Sequence, residues 1–180
     1  DGLVLSGKIR YWGVSNHSSA QVQEYLDLTR SMGTAPPAGT EDYYNIAGEK
    51  RTPEAEPRME PLERELFPVL REAGMGLLSF SPMDCGSLAP GRENEASPEL
   101  VDLIAVIDAV ATDLGAERAA VCVAWVLTHP EVTSVLAGSE SEEHVEHNIA
   151  GTQLQLPEEA LASLHLANRD YRRRQLESNV

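Results

Sequence analysis

Residues 76–81 read GLLSFS, a short apolar run that follows Gly74 and leads into Pro82. A continuous apolar run of this length between a glycine and a proline is typical of a buried strand. The segment before it, residues 60–73, has apolar side chains on one helical face and ends at Gly74. That periodicity and that glycine predict a helix. The order of helix, strand and loop around residue 76 therefore predicts one unit of an α/β fold.

The same alternation extends in both directions from this unit. Further strands are predicted at residues 8–15, 35–45 and 133–137, although Pro36 and Pro37 weaken the strand signal at the entrance of the second. Residues 48–57 and 82–96 are predicted to be loops. Helices with apolar stripes and caps are predicted at residues 18–33, 97–115, 117–127 and 141–150, and from residue 156 onward.

A strand followed by a helix, four times over, predicts a parallel sheet that is covered by helices. An open doubly wound sheet and part of a (β/α)8 TIM barrel both fit this alternation. A complete barrel needs roughly 250 residues, and the chain has 180. Four strand–helix units with an extra C-terminal helix therefore correspond to half of such a barrel, in a single domain.

Charge and composition exclude several classes of function. The formal net charge is −15, and because a field of that sign repels a phosphate backbone, we expect no nucleic-acid partner. No apolar run reaches the roughly 18 residues that a membrane-spanning helix needs, and no secretory signal is evident. The two cysteines are too few for a disulfide framework. We therefore expect a cytoplasmic protein without a membrane partner.

The first residues indicate that the sequence continues a longer polypeptide. Residue 1 is an aspartate, and residues 3–7 read LVLSG, which is typical of a helix that runs into a glycine stop. We expect an N-terminal half that this sequence does not contain.

Five segments resemble, in order and in spacing, the C-terminal half of the aldo-keto reductase family. They are residues 7–16, 43–45, 74–83 and 124–127, and the block of residues 132–135 with Gly138 and Asn148. The resemblance covers nearly the whole chain and implies that residues 1–180 form strands five to eight of the barrel. It also implies that the intact parent reduces an aldehyde or ketone to an alcohol with NADPH or NADH, whereas the isolated chain is inactive.

The resemblance further implies a set of cofactor-binding residues. Ligands of such barrels lie at the carboxyl ends of the strands, where Ser15 and Asn16 fall, and the resemblance implies that both bind the nicotinamide carboxamide. Phe80 stands where the family has a tyrosine that stacks on the nicotinamide ring, and phenylalanine keeps the π face. The whole implied set is Ser15, Asn16, Glu41, Phe80, Ser81, Pro82, Met83, Gly138, Ser139, Glu140, Ser141, His144 and Asn148.

Simpler structural roles account for the same positions when the residues are taken alone. Residues 15–18 have the composition of a turn and a helix cap, and Phe80 is suited to a core.

Residues 138–143 resemble the family's loop for the adenosine 2′-phosphate, and Asn148 resembles a residue that contacts adenine.

Three features depart from the family pattern. The family's catalytic aspartate, tyrosine, lysine and histidine come from the first four strands, so no catalytic residue is assigned here, and Lys8 and Lys50 do not match the lysine. Glu41 replaces a glutamine, and a carboxylate accepts hydrogen bonds without donating any. Residues 139–143 read SESEE where the family carries a basic residue. An acidic loop repels a phosphate, which favours NAD over NADP.

Three further hypotheses follow from these observations. His144 and His147 lie three residues apart on a predicted helix, a spacing that can hold a metal, but a charged outer helix face is the preferred interpretation, and no metal site is assigned. The departures at Glu41 and residues 140–143 favour, as an alternative function, a non-catalytic binding or assembly subunit. A half barrel exposes strand edges and its inner face, which predicts self-association.

Overall fold

The computed structural model describes residues 1–48 and 62–178. Within these ranges the strands are β1 Gly13–Ser15, β2 Gly39–Tyr43, β3 Gly76–Phe80 and β4 Val132–Leu136. The helices are α1 Gly2–Leu5, α2 Ser19–Met32, α3 Phe67–Ala73, α4 Pro98–Leu114, α5 Arg118–Leu127, α6 Glu142–Gln153 and α7 Glu158–Ser178. Lys50, most of the loop predicted at 48–57 and the start of the helix predicted from residue 60 lie outside the described residues.

The four strands form one sheet in the order β1-β2-β3-β4, which is also their order along the chain. β1 and β2 are parallel, with Gly13 opposite Gly39 and Ser15 opposite Glu41. Parallel neighbours that follow one another in sequence require a crossover, and helices supply it here. The predicted α/β fold, four strand–helix units of a partial (β/α)8 barrel, is confirmed.

Two strands are shorter than the sequence predicts, and hydrogen bonding explains both differences. The N–H groups of Lys8 and Ile9 donate to the Leu3 carbonyl and close the end of α1, so residues 8–12 do not extend β1. Pro36 and Pro37 have no N–H to donate, and the first bond between these segments comes from Ala38, whose N–H donates to the Trp12 carbonyl over 2.8 Å.

Several helix ends lie where the sequence predicts them. Ser18 forms a capping box with Gln21 at the start of α2, and Ser97 accepts the Leu100 N–H at the start of α4. α2, α3 and α4 each end at a glycine in the left-handed conformation, namely Gly33, Gly74 and Gly115. Leu62–Leu66 form wider π-type turns before α3.

The chain divides into two compact units, which are described separately. The first consists, within the described ranges, of residues 1–43, 62–79 and 130–134. Most of its buried apolar side chains come from α2, from α3 with the residues just before it, and from β3: Val22, Leu26, Leu66, Phe67, Leu70 and Leu77. The unit thus has a helix-covered face with its own core.

Three glycines lie in a row across neighbouring strands of the first unit. A Cβ placed on Gly13 would lie 2.7 Å from the Gly39 carbonyl oxygen, and one on Gly39 would lie 2.5 Å from the Gly76 carbonyl oxygen. A Cβ on Gly76 would meet the Thr133 side chain. Any side chain at these positions would collide with the neighbouring strand, so we call Gly13, Gly39 and Gly76 the glycine row.

The second unit consists, within the described ranges, of residues 44–48, 80–129 and 135–178. Its core is built around α5, in which residues 120–126 are all buried, as the apolar sequence predicts. Gly151 of α6 lets that helix approach closely, because a Cβ there would lie 2.7 Å from the Ala120 carbonyl oxygen. A ring cluster joins Tyr44, stacked on Trp125 at 5.7 Å between centroids, to His129.

Candidate cofactor site

Ser15 and Glu41 are neighbours across β1 and β2 of the first unit. They are register partners, and both line an open depression of about 640 Å³ that also borders the glycine row and Leu78. Ser15 is the last residue of β1, whereas Glu41 lies in the middle of β2. Glu41 is half-buried, and within the described residues no hydrogen bond or ion pair engages its carboxylate. This pair therefore presents a hydroxyl and a carboxylate to the same open space.

Asn16 follows Ser15 with its backbone in the left-handed conformation, at φ 58°. Its N–H donates to Oδ1 of Asp42 over 2.9 Å, and its Nδ2 donates to the Ser15 hydroxyl over 2.8 Å. Asp42 is buried, with 2 % of its surface exposed. A residue other than glycine is uncommon in this conformation. Here the hydrogen bond from the Asn16 N–H to the buried Asp42 carboxylate stabilises it.

The segment from Ser15 to Ser18 combines the turn and the cap predicted as the simpler interpretation. Ser18 is the N-cap of α2 and accepts the Gln21 N–H, and His17 Nδ1 lies 2.8 Å from the Ser15 carbonyl oxygen. The cap role thus belongs to Ser18. The side chains of Ser15 and Asn16 bond to each other ahead of the cap, so their cofactor role stays a prediction.

In the second unit, the residues that follow β3 form a strained turn. Ser81, Asp84 and Cys85 all have positive φ, at 57°, 50° and 53°. Each non-glycine residue in such a region costs on the order of 1–3 kcal/mol, and such strain concentrates at functional sites. Of the predicted residues here, Pro82 is buried while Phe80, Ser81 and Met83 are half-buried.

Asn45 holds this turn from inside the second unit. Its side chain is fully buried, its Nδ2 donates to the Ser81 carbonyl over 2.9 Å, and its Oδ1 accepts the Ala47 N–H over 2.9 Å. Asn45 belongs to the Tyr-Asn pair seen in the sequence, but its structural role could not be predicted there.

Arg118 anchors the rest of the loop between β3 and α4. It forms a bidentate pair with Asp108, bonds Glu93 over 2.8 Å and donates to the Leu88 carbonyl over 3.0 Å. Burial disfavours its charge, but the hydrogen bonds that Arg118 donates to Asp108 and Glu93 outweigh burial and raise the pKa of Arg118. Its sequence position, in an otherwise apolar helix, was the only available sign of this role.

The predicted adenosine loop of the second unit is exposed from Gly138 to Glu143. Ser141 caps α6 by accepting the His144 N–H over 3.2 Å, and Glu142 and Glu143 occupy the first turn, where they complement the helix dipole. The backbone N–H of Glu140 donates to His144 Nδ1 over 3.5 Å.

Asn148 joins this loop to α6. Its Nδ2 donates to the Ser139 hydroxyl over 3.1 Å. Its Oδ1 is buried and accepts no hydrogen bond from the described residues. The side chain therefore keeps an acceptor available for a donor group.

Metal ligation finds no support in the described part of the chain. No group of three or more histidine, cysteine, aspartate and glutamate side chains there could hold a metal ion. His147 Nε2 lies 4.0 Å from a carboxylate oxygen of Glu143, a surface pair on one helix.

None of the described helices is long and apolar enough to span a bilayer.

Comparison with known proteins decides the family. Residues 1–169 match the family model described as "Aldo/keto reductase family". The chain belongs to the aldo/keto reductase family. A versiconal hemiacetal acetate reductase of Aspergillus parasiticus is similar to this aldo/keto reductase chain, with 24% identity over 87% of the chain and 48% of the relative. A norsolorinic acid reductase B of Dothistroma septosporum is 26% identical over 92% of the chain and 43% of the relative.

Relatives with a different name share similar identity. A probable voltage-gated potassium channel subunit beta of Oryza sativa subsp. japonica is 25% identical over 82% of this aldo/keto reductase chain and 48% of the relative. The chain spans about half the length of the curated relatives it matches. Reductases and channel subunits thus both occur among the relatives.

The aldo/keto reductase family typically uses NAD(P)H, and the hydrogen-bonding groups of the predicted residues can be compared with those of that cofactor. A hydroxyl and an amide at Ser15 and Asn16 suit a carboxamide, since together they donate and accept. The unused acceptor of Asn148 suits an amino group. Residues 138–148 contain no lysine or arginine, so they offer no cation to an additional phosphate. Each unit, taken by itself, thus offers groups that suit one part of a nicotinamide cofactor.

Proposed function

We propose that this chain is the cofactor-binding part of an NAD(H)-dependent aldo/keto reductase that reduces an aldehyde or ketone to an alcohol. The observation that carries the proposal is the arrangement in the first unit, where Ser15 faces Glu41 across β1 and β2 and Asn16 is held by Asp42. Family membership and the reductase names of two relatives support the reaction type.

Each predicted residue has a role that its chemistry allows. Ser15 and Asn16 hydrogen-bond the carboxamide, and Glu41 accepts from its amide nitrogen. In the second unit, taken by itself, Phe80 has the π face that the resemblance assigns to stacking, while the Asn45 bond to Ser81 fixes the adjacent turn, with Pro82 and Met83 beside it. A bound nicotinamide would supply the hydride.

The adenosine end of the site favours NAD over NADP. Glu140, Glu142 and Glu143 place three carboxylates in the loop that would meet a 2′-phosphate, and like charges repel. A carboxylate can instead accept hydrogen bonds from the hydroxyls of a ribose. Gly138, Ser139, Ser141 and His144 complete this loop, and Asn148 accepts from the adenine amino group.

The proton donor for the forming alkoxide lies outside this chain in our proposal. The family's aspartate, tyrosine, lysine and histidine belong to the first four strands, which the matched segments do not include. Carbonyl reduction needs a positioned acid, so residues 1–180 alone bind cofactor without turning over a carbonyl compound.

The open face of the sheet supports the same proposal. Leu78 is 37% exposed on the depression beside the glycine row, and β1 is an edge strand. The chain spans about half the length of its relatives. We propose that the remaining strand–helix units of an aldo/keto reductase barrel cover this face. We further propose that the protein acts in the cytoplasm on a small carbonyl compound, without a nucleic-acid or membrane partner.

Cofactor titration of the full-length protein, combined with an assay of carbonyl reduction, tests the proposal. Calorimetric binding of NADH in the micromolar range, weaker binding of NADPH, and consumption of NADH with a simple aldehyde are the expected results. The variant Ser15→Ala should weaken NADH binding, whereas Ser31→Ala, on the exposed side of α2, should not. Equal binding by both variants, or no binding at all, would contradict the proposal.

A second candidate function is a non-catalytic binding or assembly subunit. The name of the Oryza sativa relative, a probable potassium channel subunit beta, favours it, as do the carboxylates at Glu41 and in the adenosine loop. The same experiment separates the two functions, because a binding subunit shows no carbonyl turnover in the full-length protein.

A further inference from the structure

Glu41 places a half-buried carboxylate on the depression of the first unit. Its neighbours in the depression are glycines, Ser15, Leu78 and other uncharged side chains. Within residues 1–48 and 62–178 no cationic side chain pairs with it. A half-buried carboxylate favours a positively charged ligand beside it, because the protein around it screens charge less than water does.

A second carboxylate lies next to Glu41 in the sequence. Asp42 is the next residue in β2, and the alternation of a strand directs it to the opposite side of the sheet from Glu41. It receives the Asn16 N–H over 2.9 Å and is buried. Ser15 and Asn16 therefore lie next to two consecutive carboxylates, one facing the depression and the other supporting the turn behind it.

The two redox forms of a nicotinamide differ in charge. The oxidised ring carries a formal positive charge and the reduced ring is neutral, while the carboxamide keeps the same donors and acceptors in both forms. A hydrogen bond from the carboxamide to residue 41 therefore cannot distinguish the two forms. A net negative charge at residue 41 can.

We infer that Glu41 makes this site bind the oxidised, cationic nicotinamide in preference to the reduced one. The inference rests on the proposed cofactor function and adds to it the charge state of the preferred ligand. Removing one partly screened unit charge beside the ligand changes the affinity ratio on the order of tenfold. Glutamine at position 41 keeps the acceptor and the shape. The donor that it adds meets a carboxamide that is the same in both redox forms, so a change in the affinity ratio reports the charge.

The test is calorimetric titration of the full-length protein with NAD⁺ and with NADH, repeated with NADP⁺ and NADPH. The measured quantity is the ratio of the two dissociation constants, reduced over oxidised, for the wild type and for Glu41→Gln. Glu41→Asp, which keeps the charge, and Glu24→Gln, which makes the same substitution on an exposed part of α2, are the two matched controls. Far-UV circular dichroism verifies that all four proteins are folded.

We expect tighter binding of the oxidised form by the wild type, and a fall in its preference on the order of tenfold in Glu41→Gln. Glu41→Asp should keep most of the preference and Glu24→Gln all of it. An unchanged ratio in Glu41→Gln, with both forms still bound, overturns this inference and leaves the proposed function intact. If neither form binds the wild type, the proposed cofactor function is overturned together with the inference.

Discussion

Arg118 and Asp108 form a bidentate ion pair in the second unit, with N–O distances of 2.6 and 2.7 Å. The guanidinium is 8% exposed, and the same group bonds Glu93 and the Leu88 carbonyl. One buried cation thus connects α4, α5 and the loop that follows the strained turn at Ser81.

Replacing Arg118 with methionine should destabilise the protein. The change leaves the buried Leu88 carbonyl without its donor and separates two carboxylates from their cation, which together cost on the order of 2–3 kcal/mol. Urea unfolding of the full-length protein measures the loss. Arg30→Met, which removes an exposed pair with Asp27, should cost less than about 1 kcal/mol. Equal losses in the two variants would show that burial of Arg118 contributes nothing.

Gly39→Ala should destabilise the sheet of the first unit. The added Cβ would lie 2.5 Å from the Gly76 carbonyl oxygen, so neighbouring strands must separate, at a cost of about 1–3 kcal/mol. The midpoint of thermal unfolding should fall accordingly. Gly2→Ala is the control, because nothing lies within 4 Å of its Cβ position. A midpoint for Gly39→Ala equal to that of the control would contradict the close approach of the strands.

Asp42→Ala should release the turn at Asn16. Without its acceptor the Asn16 N–H exchanges with solvent by local opening, so amide hydrogen exchange at that position should become about ten times faster or more. Nuclear magnetic resonance of the exchanging amides reads out residue 16 directly. Asp27→Ala, on the exposed part of α2, should leave that rate unchanged. Persistence of the wild-type rate in Asp42→Ala would mean that other contacts hold the turn.

The two cysteines should differ in reactivity. Burial raises the pKa of Cys122 to about 12, and because only the thiolate is nucleophilic, its reaction should be absent at pH 8 and appear only as the pH approaches 12 or the protein unfolds. Cys85 is exposed. A thiol reagent should therefore label Cys85 but not Cys122 in the native protein, and both of them in denaturant. Native labelling that survives in Cys85→Ser would contradict burial of Cys122.

The chain of residues 1–180 alone should self-associate. Leu78 is exposed on the depression and β1 is an edge strand of the sheet, and such surfaces promote association. Light scattering after size exclusion should give a mass above the 19.6 kDa monomer, increasing with salt because screening weakens repulsion between chains of net charge −15. Leu78→Ser should reduce the association and Leu166→Ser on α7 should not. A monodisperse monomer with a sharp cooperative melt would contradict the prediction.

Local signals in the sequence predicted most of the fold. The Ser18 and Ser97 caps, the glycine stops at residues 33, 74 and 115, and the apolar α5 all depend on residues within a few positions of one another. The predicted strand lengths were wrong because the length of a strand depends on its hydrogen-bond partners. Residues 8–12 look like a strand, but their first N–H groups bond to the end of α1.

The candidate site was predicted less completely for the same physical reason. The resemblance selected Ser15, Asn16 and Glu41, and the register pairs Ser15 with Glu41. Nothing in the sequence indicated that Asp42 would accept the N–H of a residue 26 positions away. Asn45 and Arg118 likewise act on backbone carbonyls 36 and 30 positions away. Such contacts arise only when the chain has folded.

The left-handed backbone at Asn16 has a consequence for how this protein can vary. Glycine adopts that conformation most readily, followed by asparagine and aspartate, so other residues at position 16 would add strain whatever the protein binds. A β-branched residue there would strain the peptide and turn its N–H away from Asp42. Selection for folding alone therefore keeps a short polar side chain beside Ser15, and a lineage that loses its reaction would still retain this asparagine for many generations.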